Sequence, residues 1–205
     1  DVDLWVRQGL AMLESLPAGP CFIAGHSLGG ALALKIAART ARVTGILASS
    51  AIGTGYTIND ALDGFWSLPA DRDGLRAAMA RMAFDQTALT DEMIDQRWAL
   101  LQDDGYAGYF ASMFAPPRQR YIDAAVLSDD EIAAIAKTGT RIVLIHGRDD
   151  RPCPAEATAQ VHGRNFPAAD LHLLGACGHN LPRERSADYL RIAISLFTGK
   201  GDSGS

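Results

Sequence analysis

Apolar residues fall into blocks along the chain, and the block lengths fit strands and helices in turn. Short apolar runs of strand length cover residues 21–24, 43–48, 141–146 and 169–174. Longer stretches with apolar positions at helical spacing cover residues 3–16, 28–39, 154–161 and 186–197. Strands that alternate with helices predict an α/β fold, a mostly parallel sheet with helices on both faces.

The pattern changes in the middle of the chain. Residues 53–136 contain several short helical segments broken by Gly, Pro and Asp, with no strand-like run. We therefore predict a core formed by residues 1–52 and 137–198, with a helical insert over 53–136. The polar, Gly-rich stretch 199–205 is expected to be a disordered tail.

Composition narrows the class of protein. The chain has 205 residues, of which 48% are hydrophobic and 21% charged, and this suits one soluble globular domain. A net charge of −5 without long charged runs argues against a nucleic-acid partner and against an anionic membrane surface. No apolar run has the length of a membrane span, and the first residues lack a signal-peptide pattern. The three cysteines have no CxxC spacing, so we expect no disulfide framework, no metal site and a cytoplasmic location.

One motif between a predicted strand and a predicted helix carries nucleophile chemistry. Residues 25–29, Gly-His-Ser-Leu-Gly, fit G-x-S-x-G. In that context the turn is expected to strain Ser27 and to expose its hydroxyl, with Gly25 and Gly29 removing side chains that would collide. The N–H of Leu28 would donate to a developing oxyanion. The competing interpretation is a Gly/Ser turn that merely caps a helix.

A serine nucleophile needs a base and an acid that orients it. Asp149 and Asp150 follow the strand-like run 141–146, and His179 follows the next strand-like run. Both groups come after Ser27 in the order acid, then histidine, which is the order expected for this motif. The sequence therefore predicts a Ser27–Asp150–His179 triad, with Asp150 only weakly preferred over Asp149.

Three other histidines and Cys177 are interpreted as structural residues. His146 ends a strand and is expected to pack there, and His162 and His172 lack acidic neighbours at ligand spacing. Cys177 lies close to His179 in sequence, but no tight turn presents it, so we interpret it as a buried thiol.

Taken together, these segments resemble the meta-cleavage product hydrolases, such as the 2-hydroxymuconic semialdehyde hydrolases, of the α/β-hydrolase superfamily. The resemblance extends over nearly the whole chain. It rests on residues 25–29, 83–86 (Ala-Phe-Asp-Gln), 95–98 (Asp-Gln-Arg-Trp), 113–120 (Met-Phe-Ala-Pro-Pro-Arg-Gln-Arg), 147–150 (Gly-Arg-Asp-Asp) and 177–179 (Cys-Gly-His).

The resemblance implies an α/β-hydrolase fold in which the insert is a helical lid. It places the family's acid on Asp150 and its carboxylate-binding lid arginine on Arg97, with His26 and Trp98 as further substrate-binding candidates. It implies cleavage of a C–C bond in a 2-hydroxy-6-oxo-dienoate, giving 2-hydroxypenta-2,4-dienoate and a carboxylic acid. The implied partner is this small dienoate, no metal or organic cofactor is required, and a homodimer is the family expectation.

The chain departs from the family pattern in three places. His26 stands where the family usually has Asn, and Asn180 stands where it usually has Trp. The strands and the Gly-rich loop that precede the motif in the family have no counterpart before Ser27, so we expect a fragment or a chain completed by another one. A carboxylesterase or lactonase with the same triad, and an inactive fragment or binding remnant, are the alternative functions.

Overall fold

Four parallel strands form the centre of the molecule in the computed structural model, which describes residues 1–198. The tail predicted for 199–205 lies outside the described residues. The strands stand in the order β1-β2-β3-β4 across the sheet, and every neighbouring pair is parallel. They are β1 (Cys21–His26), β2 (Val43–Ser49), β3 (Arg141–Gly147) and β4 (Asp170–Leu174). The parallel α/β sheet expected from the sequence is confirmed.

Helices connect the strands and fill the insert. Those flanking the sheet are α1 (Val2–Ser15), α2 (Leu28–Ala37), α9 (Ala159–Asn165), α10 (Leu181–Glu184) and α11 (Ser186–Thr198). Those between β2 and β3 are α3 (Asp60–Phe65), α4 (Arg72–Met82), α5 (Asp91–Leu101), α6 (Asp104–Met113), α7 (Gln119–Ala125) and α8 (Asp129–Thr138), with a short 3₁₀ helix over Gln86–Ala88.

The core lies on both faces of the sheet because successive strand residues point to opposite sides. On β2, Ile46 and Ala48 join an apolar cluster with α1, α2 and α8. The intervening Leu47 joins a second cluster with α10 and α11. A third cluster links α2 to the insert helices α3 and α7. Both faces are therefore covered by helices, as expected for a parallel sheet.

A largely buried ion pair joins the insert to the core. Lys35 of α2 donates to the carbonyl oxygen of Val126 and to Glu131 Oε2, both at 2.8 Å. Glu131 also closes a capping box with Ser128 at the start of α8. Within residues 1–198, no helix combines the length and the apolar character that a membrane span requires.

The helix expected over 154–161 is wrong in position, because the helix begins at Ala159 and residues 155–158 form a turn. The polar groups of this stretch are used elsewhere. The ring of His146 donates to the carbonyl oxygen of Cys153 at 2.7 Å, and the hydroxyl of Thr158 donates to the carbonyl oxygen of Pro154 at 2.9 Å. These bonds hold the loop around the end of β3 and delay the helix.

Candidate active site

Ser27 occupies a strained turn between β1 and α2. Its φ of 56° and ψ of −123° lie in a region that non-glycine residues rarely adopt, at a cost of about 1–3 kcal/mol. The surrounding backbone holds it there: the N–H of Ser27 donates to the carbonyl oxygen of Ser49 at 2.9 Å, and the N–H of Ile52 donates to the carbonyl oxygen of Ser27 at 3.2 Å. Leu28 is the first residue of α2, where an N–H has no partner one turn earlier.

The glycines that this turn requires sterically are not the two predicted from the sequence. A Cβ at Gly25 would lie 2.1 Å from the carbonyl oxygen of Gly29, so Gly25 is required where the strand and the helix converge. A Cβ at Gly29 would meet nothing within 4 Å, so the collision expected there is wrong. The close approach occurs one residue later, because a Cβ at Gly30 would lie 2.5 Å from the Cβ of Ala51.

The structure brings Asp150 and His179 together at the ends of β3 and β4. His179 Nδ1 lies 2.9 Å from Asp150 Oδ2, and both residues are buried, at 3% and 4% exposure. Asp150 Oδ1 accepts the backbone N–H of Cys153 at 2.8 Å. Asp149 is exposed and instead binds the His179 loop, accepting the N–H of Cys177 at 3.3 Å. The geometry thus separates two aspartates that the sequence barely distinguished.

Electrostatics couple this pair. Burial opposes the charged form of His179, but the neighbouring Cys153 and Asp150 outweigh burial and raise the pKa of His179 above its ordinary value. Burial likewise opposes ionisation of Asp150, but the hydrogen bond from His179, together with His146 and the N–H of Cys153, lowers the pKa of Asp150. The acid therefore stays ionised and favours a proton on the imidazole that it contacts.

The imidazole of His146 is the second ring that contacts Asp150. Its Nε2 lies 3.3 Å from Asp150 Oδ2 while donating to the carbonyl oxygen of Cys153. Burial dominates and lowers the pKa of His146, which keeps the ring neutral. The packing role expected for His146 thus includes holding the Asp150 loop in place.

His26 links the strained turn to the His179 loop. The rings of His26 and His179 have centroids 4.9 Å apart, and His26 Nδ1 lies 3.1 Å from Ser49 Oγ. Burial, and then the neighbouring His179, lower the pKa of His26 to about 4. His26 is therefore a neutral hydrogen-bonding group at neutral pH.

A cavity of about 740 Å³ opens between these residues and the insert. Its wall includes His26, Arg97 and Asn180, whereas Ser27 and His179 are not among its lining residues. No hydrogen bond or ion pair occupies the exposed guanidinium of Arg97 within residues 1–198, so it is free to bind an anion from the cavity. Trp98 does not line the cavity, because the next residue of a helix points about 100° away.

The end of α4 docks directly on the His179 loop. The carbonyl oxygen of Met82 accepts the N–H of His179 at 2.8 Å. Glu184 Oε2 accepts the N–H of Phe84 at 2.7 Å and that of Gly178 at 3.2 Å. Met82, Phe84 and Glu184 all line the cavity, so its wall is continuous from the insert to the end of β4.

A strained serine turn before a helix and a buried Asp–His pair at the carboxyl ends of parallel strands suit an α/β hydrolase. The model of the family described as "Alpha/beta hydrolase family" matches residues 1–192. The chain belongs to the α/β hydrolase family.

Relatives within this family include dienoate, semialdehyde and meta-cleavage product hydrolases. The 2-hydroxy-6-oxo-2,4-heptadienoate hydrolase of Pseudomonas putida F1 is 32% identical over 97% of this chain and 71% of its own length. A 2-hydroxymuconate semialdehyde hydrolase of Pseudomonas putida is 30% identical over 97% of this chain and 69% of its own length. A crystallised meta-cleavage product hydrolase of Pseudomonas fluorescens IP01 is 29% identical and superimposes with a TM-score of 0.89, over 97% of this chain and 72% of that one.

Four features of this α/β hydrolase site were not identified as site features from the sequence. The contact of His146 with Asp150, the buried thiol of Cys153, the carbonyl of Met82 and the carboxylate of Glu184 all depend on folding. The spacing of His146 and Asp150, four residues apart across the end of a strand, was the one local signal. The contacts of Met82 and Glu184 bridge distant segments and left no pattern in the sequence.

Proposed function

We propose that this α/β hydrolase cleaves the C–C bond of a 2-hydroxy-6-oxo-dienoate to 2-hydroxypenta-2,4-dienoate and a carboxylic acid. The observation that carries the proposal is the buried Asp150–His179 pair and the strained Ser27 turn, next to a cavity that is lined by their neighbours His26 and Asn180 and by an unpaired Arg97. The relatives named as dienoate hydrolases support it. The proposal also includes a cytoplasmic location, which three unpaired cysteines support. It includes a homodimer as well, which the family resemblance supports.

In this proposal each residue of the triad has one role. Asp150 orients His179 through Nδ1, and the opposite ring nitrogen takes the proton of the Ser27 hydroxyl. The N–H of Leu28, at the positive end of α2, stabilises the oxyanion that forms on the attacked carbonyl. The strained backbone of Ser27 would present its hydroxyl ahead of the helix, as in other turns of this kind.

The proposed reaction begins with a rearrangement of the substrate and ends with release of a carboxylic acid. The dienol substrate first ketonises, as its enol proton leaves oxygen and a proton is added to carbon, so the carbon that will carry the departing electron pair is conjugated through a C=C bond with an electron-accepting carbonyl. Ser27, or water activated by His179, then adds to the other carbonyl. The oxyanion collapses, the C–C bond breaks and the electron pair leaves as a stabilised dienolate, which is protonated. Water releases the acyl group as a carboxylic acid if Ser27 carried it.

Arg97 would fix the substrate by its carboxylate. A guanidinium offers two parallel N–H donors that match the two oxygens of a carboxylate. Arg97 lies on α5, so the insert over 53–136 would act as a helical lid that binds one end of the substrate. His26 and Asn180 would form the polar wall near the reacting carbon, and Trp98 would support α5 from outside the cavity.

The test compares two substrates in one set of variants. We expect the absorbance of a ring-fission dienoate to disappear with wild-type protein. We expect Arg97→Ala to raise its KM about ten- to hundredfold, since a charged hydrogen bond contributes about 1.5–3 kcal/mol. Arg97→Lys should recover only part of this loss. Arg7→Ala, which alters an exposed arginine on α1, is the matched control.

A p-nitrophenyl ester without a carboxylate separates the alternatives. Its hydrolysis should depend on Ser27 but not on Arg97. Ester turnover with no consumption of the dienoate would contradict C–C cleavage and favour a carboxylesterase. Failure of a fluorophosphonate to label Ser27 in folded protein would favour an inactive chain.

A further inference from the structure

We infer that Asp150, Cys153 and His179 form a binding site for Zn²⁺, and that occupation of this site blocks hydrolysis. All three side chains are buried, and one ligand atom from each lies within 4.8 Å of the others. The Zn²⁺ binding itself is independent of the proposed function, whereas the block rests on it.

The donor set fits zinc. Zn²⁺ binds thiolate sulfur at about 2.3 Å, imidazole nitrogen at about 2.0–2.1 Å and carboxylate oxygen at about 2.0–2.2 Å, which places tetrahedral ligand atoms roughly 3.5 Å apart. No two of the three atoms are separated by more than about 1.3 Å beyond that spacing. A sulfur and a nitrogen donor disfavour Mg²⁺ and Ca²⁺, which prefer oxygen ligands.

Charge balance also favours a divalent ion. Metal binding removes the proton from a thiol, so the bound state would pair one thiolate and one carboxylate with Zn²⁺ around a neutral imidazole. The net charge of the buried cluster is then zero, which avoids an unpaired buried charge. His146 keeps its bond to the carbonyl oxygen of Cys153, so the fourth position is left for a small ligand from solvent.

A second cavity lies beside this buried cluster. It has a volume of about 630 Å³ and includes Asp150 in its wall. Three further carboxylates line this cavity, those of Asp60, Asp149 and Glu156. The guanidinium groups of Arg148 and Arg151 also line it and only partly offset the negative charge. This acidic surface raises the local concentration of divalent cations beside Asp150.

Zn²⁺ would block hydrolysis because it binds the imidazole of His179. If zinc binds Nε2, the lone pair that accepts the serine proton in the proposed mechanism is occupied. If zinc binds Nδ1, the ring proton must reside on the other nitrogen, which then cannot accept. Either arrangement also takes Asp150 away from its hydrogen bond with His179. Hydrolysis would therefore stop while the ion is bound and return when it is removed.

Equilibrium dialysis against ZnCl₂, in the presence of excess Mg²⁺, tests binding without relying on activity. We expect one tight Zn²⁺ per wild-type chain, and an affinity lowered at least about tenfold in Cys153→Ser, since even loss of a group that supports a ligand costs that much. Cys21→Ser is the matched thiol control and should bind like wild type. Cys153→Ala provides a second variant, and circular dichroism verifies that each is folded.

Co²⁺ gives a spectroscopic readout of the same site. A near-ultraviolet thiolate-to-cobalt absorption band should appear in wild type and in Cys21→Ser but not in Cys153→Ala. Equal metal affinity and an unchanged band in the folded Cys153 variants would overturn the site.

Activity assays with and without Zn²⁺ test the block, each variant being its own reference. We expect wild-type hydrolysis to be inhibited and restored by a chelator, with inhibition weakened in Cys153→Ser. Zinc that binds through Cys153 in an actively hydrolysing wild-type protein without inhibiting it would overturn the block alone. A protein without activity would contradict the proposed function, and the dialysis and cobalt results would still decide the site.

Discussion

The carbonyl oxygen of Met82, the last residue of α4, accepts the backbone N–H of His179 at 2.8 Å. The insert therefore does more than cover the cavity, because its first long helix ends on the peptide group of the proposed base. Displacing this helix end would displace the imidazole. A base misplaced by 1 Å can cost about a hundredfold in rate.

Gly178→Ala is expected to break this contact. An added Cβ would lie 2.7 Å from the nitrogen of Phe84 and 2.9 Å from the carbonyl oxygen of Met82, both backbone atoms that cannot move aside alone. We expect the free energy of unfolding to fall by about 1–3 kcal/mol and kcat to fall with it. Urea unfolding and hydrolysis assays measure the two effects.

Gly108→Ala is the matched control for that change. Gly108 lies exposed on α6, and a Cβ there would meet nothing within 4 Å. The substitution should raise stability by up to about 1 kcal/mol through helix propensity. Equal behaviour of the two alanine variants would contradict the docking role of Gly178.

Much of the core could be predicted from the sequence, because apolar runs and turn residues encode strands locally. The predicted runs 21–24 and 141–146 lie within the observed strands Cys21–His26 and Arg141–Gly147. The helix near 154 was misplaced because the preceding residue, Cys153, bonds to His146 and Asp150 and holds the chain in a loop, which pattern reasoning does not detect. The contact of Met82 with His179 joins residues far apart in the chain and has no local signature. The catalytic role of Ser27 stays a prediction.

The serine turn offers a test of which glycine is constrained. Gly30→Ala would force a Cβ to within 2.5 Å of the Cβ of Ala51, so we expect a loss of about 1–3 kcal/mol in the free energy of unfolding. Gly29→Ala places a methyl group in open space on α2 and should be neutral or stabilising by up to about 1 kcal/mol. Thermal or urea unfolding of both variants measures the difference. A larger loss for Gly29→Ala would refute the geometry of this turn.

The pH dependence of kcat/KM should report the His179–Asp150 pair. A general base must be neutral to accept a proton, so activity should rise with pH through the pKa of His179. Since the neighbouring Cys153 and Asp150 outweigh burial and raise that pKa, the midpoint should lie above the ordinary value of 6.5. Asp150→Asn should move the midpoint to lower pH and reduce the maximal rate by about ten-thousandfold.

Asp149→Asn is the control for the pH profile. Its amide oxygen can still accept the N–H of Cys177, and the residue lies outside the buried pair. The midpoint should therefore stay where it is in the wild type. A midpoint that moves with Asp149 but not with Asp150 would reverse the assignment of the acid.

Stability should fall in mild acid because several histidines are buried in the neutral form. Burial lowers the pKa of His162 to about 4, and burial together with His179 lowers that of His26 to about 4. The unfolded chain binds these protons near pH 6.5, so unfolding takes up protons between pH 6.5 and 4, and stability falls as pH falls through that window. Each such histidine contributes a slope of up to about 1.4 kcal/mol per pH unit.

His179 acts in the opposite direction, since its raised pKa favours the folded state below 6.5 and this contribution is lost as pH rises above 6.5. Stability should therefore be greatest near pH 6.5 and decline on both sides. His162→Gln can keep the hydrogen bond to the carbonyl oxygen of Ile52 while removing one titration. Urea unfolding across this range should show the acid slope reduced by up to about 1.4 kcal/mol per pH unit. The difference in the free energy of unfolding between wild type and His162→Gln at neutral pH measures any contact that the substitution removes. If that difference stays constant down to pH 4, His162 does not take up a proton on unfolding.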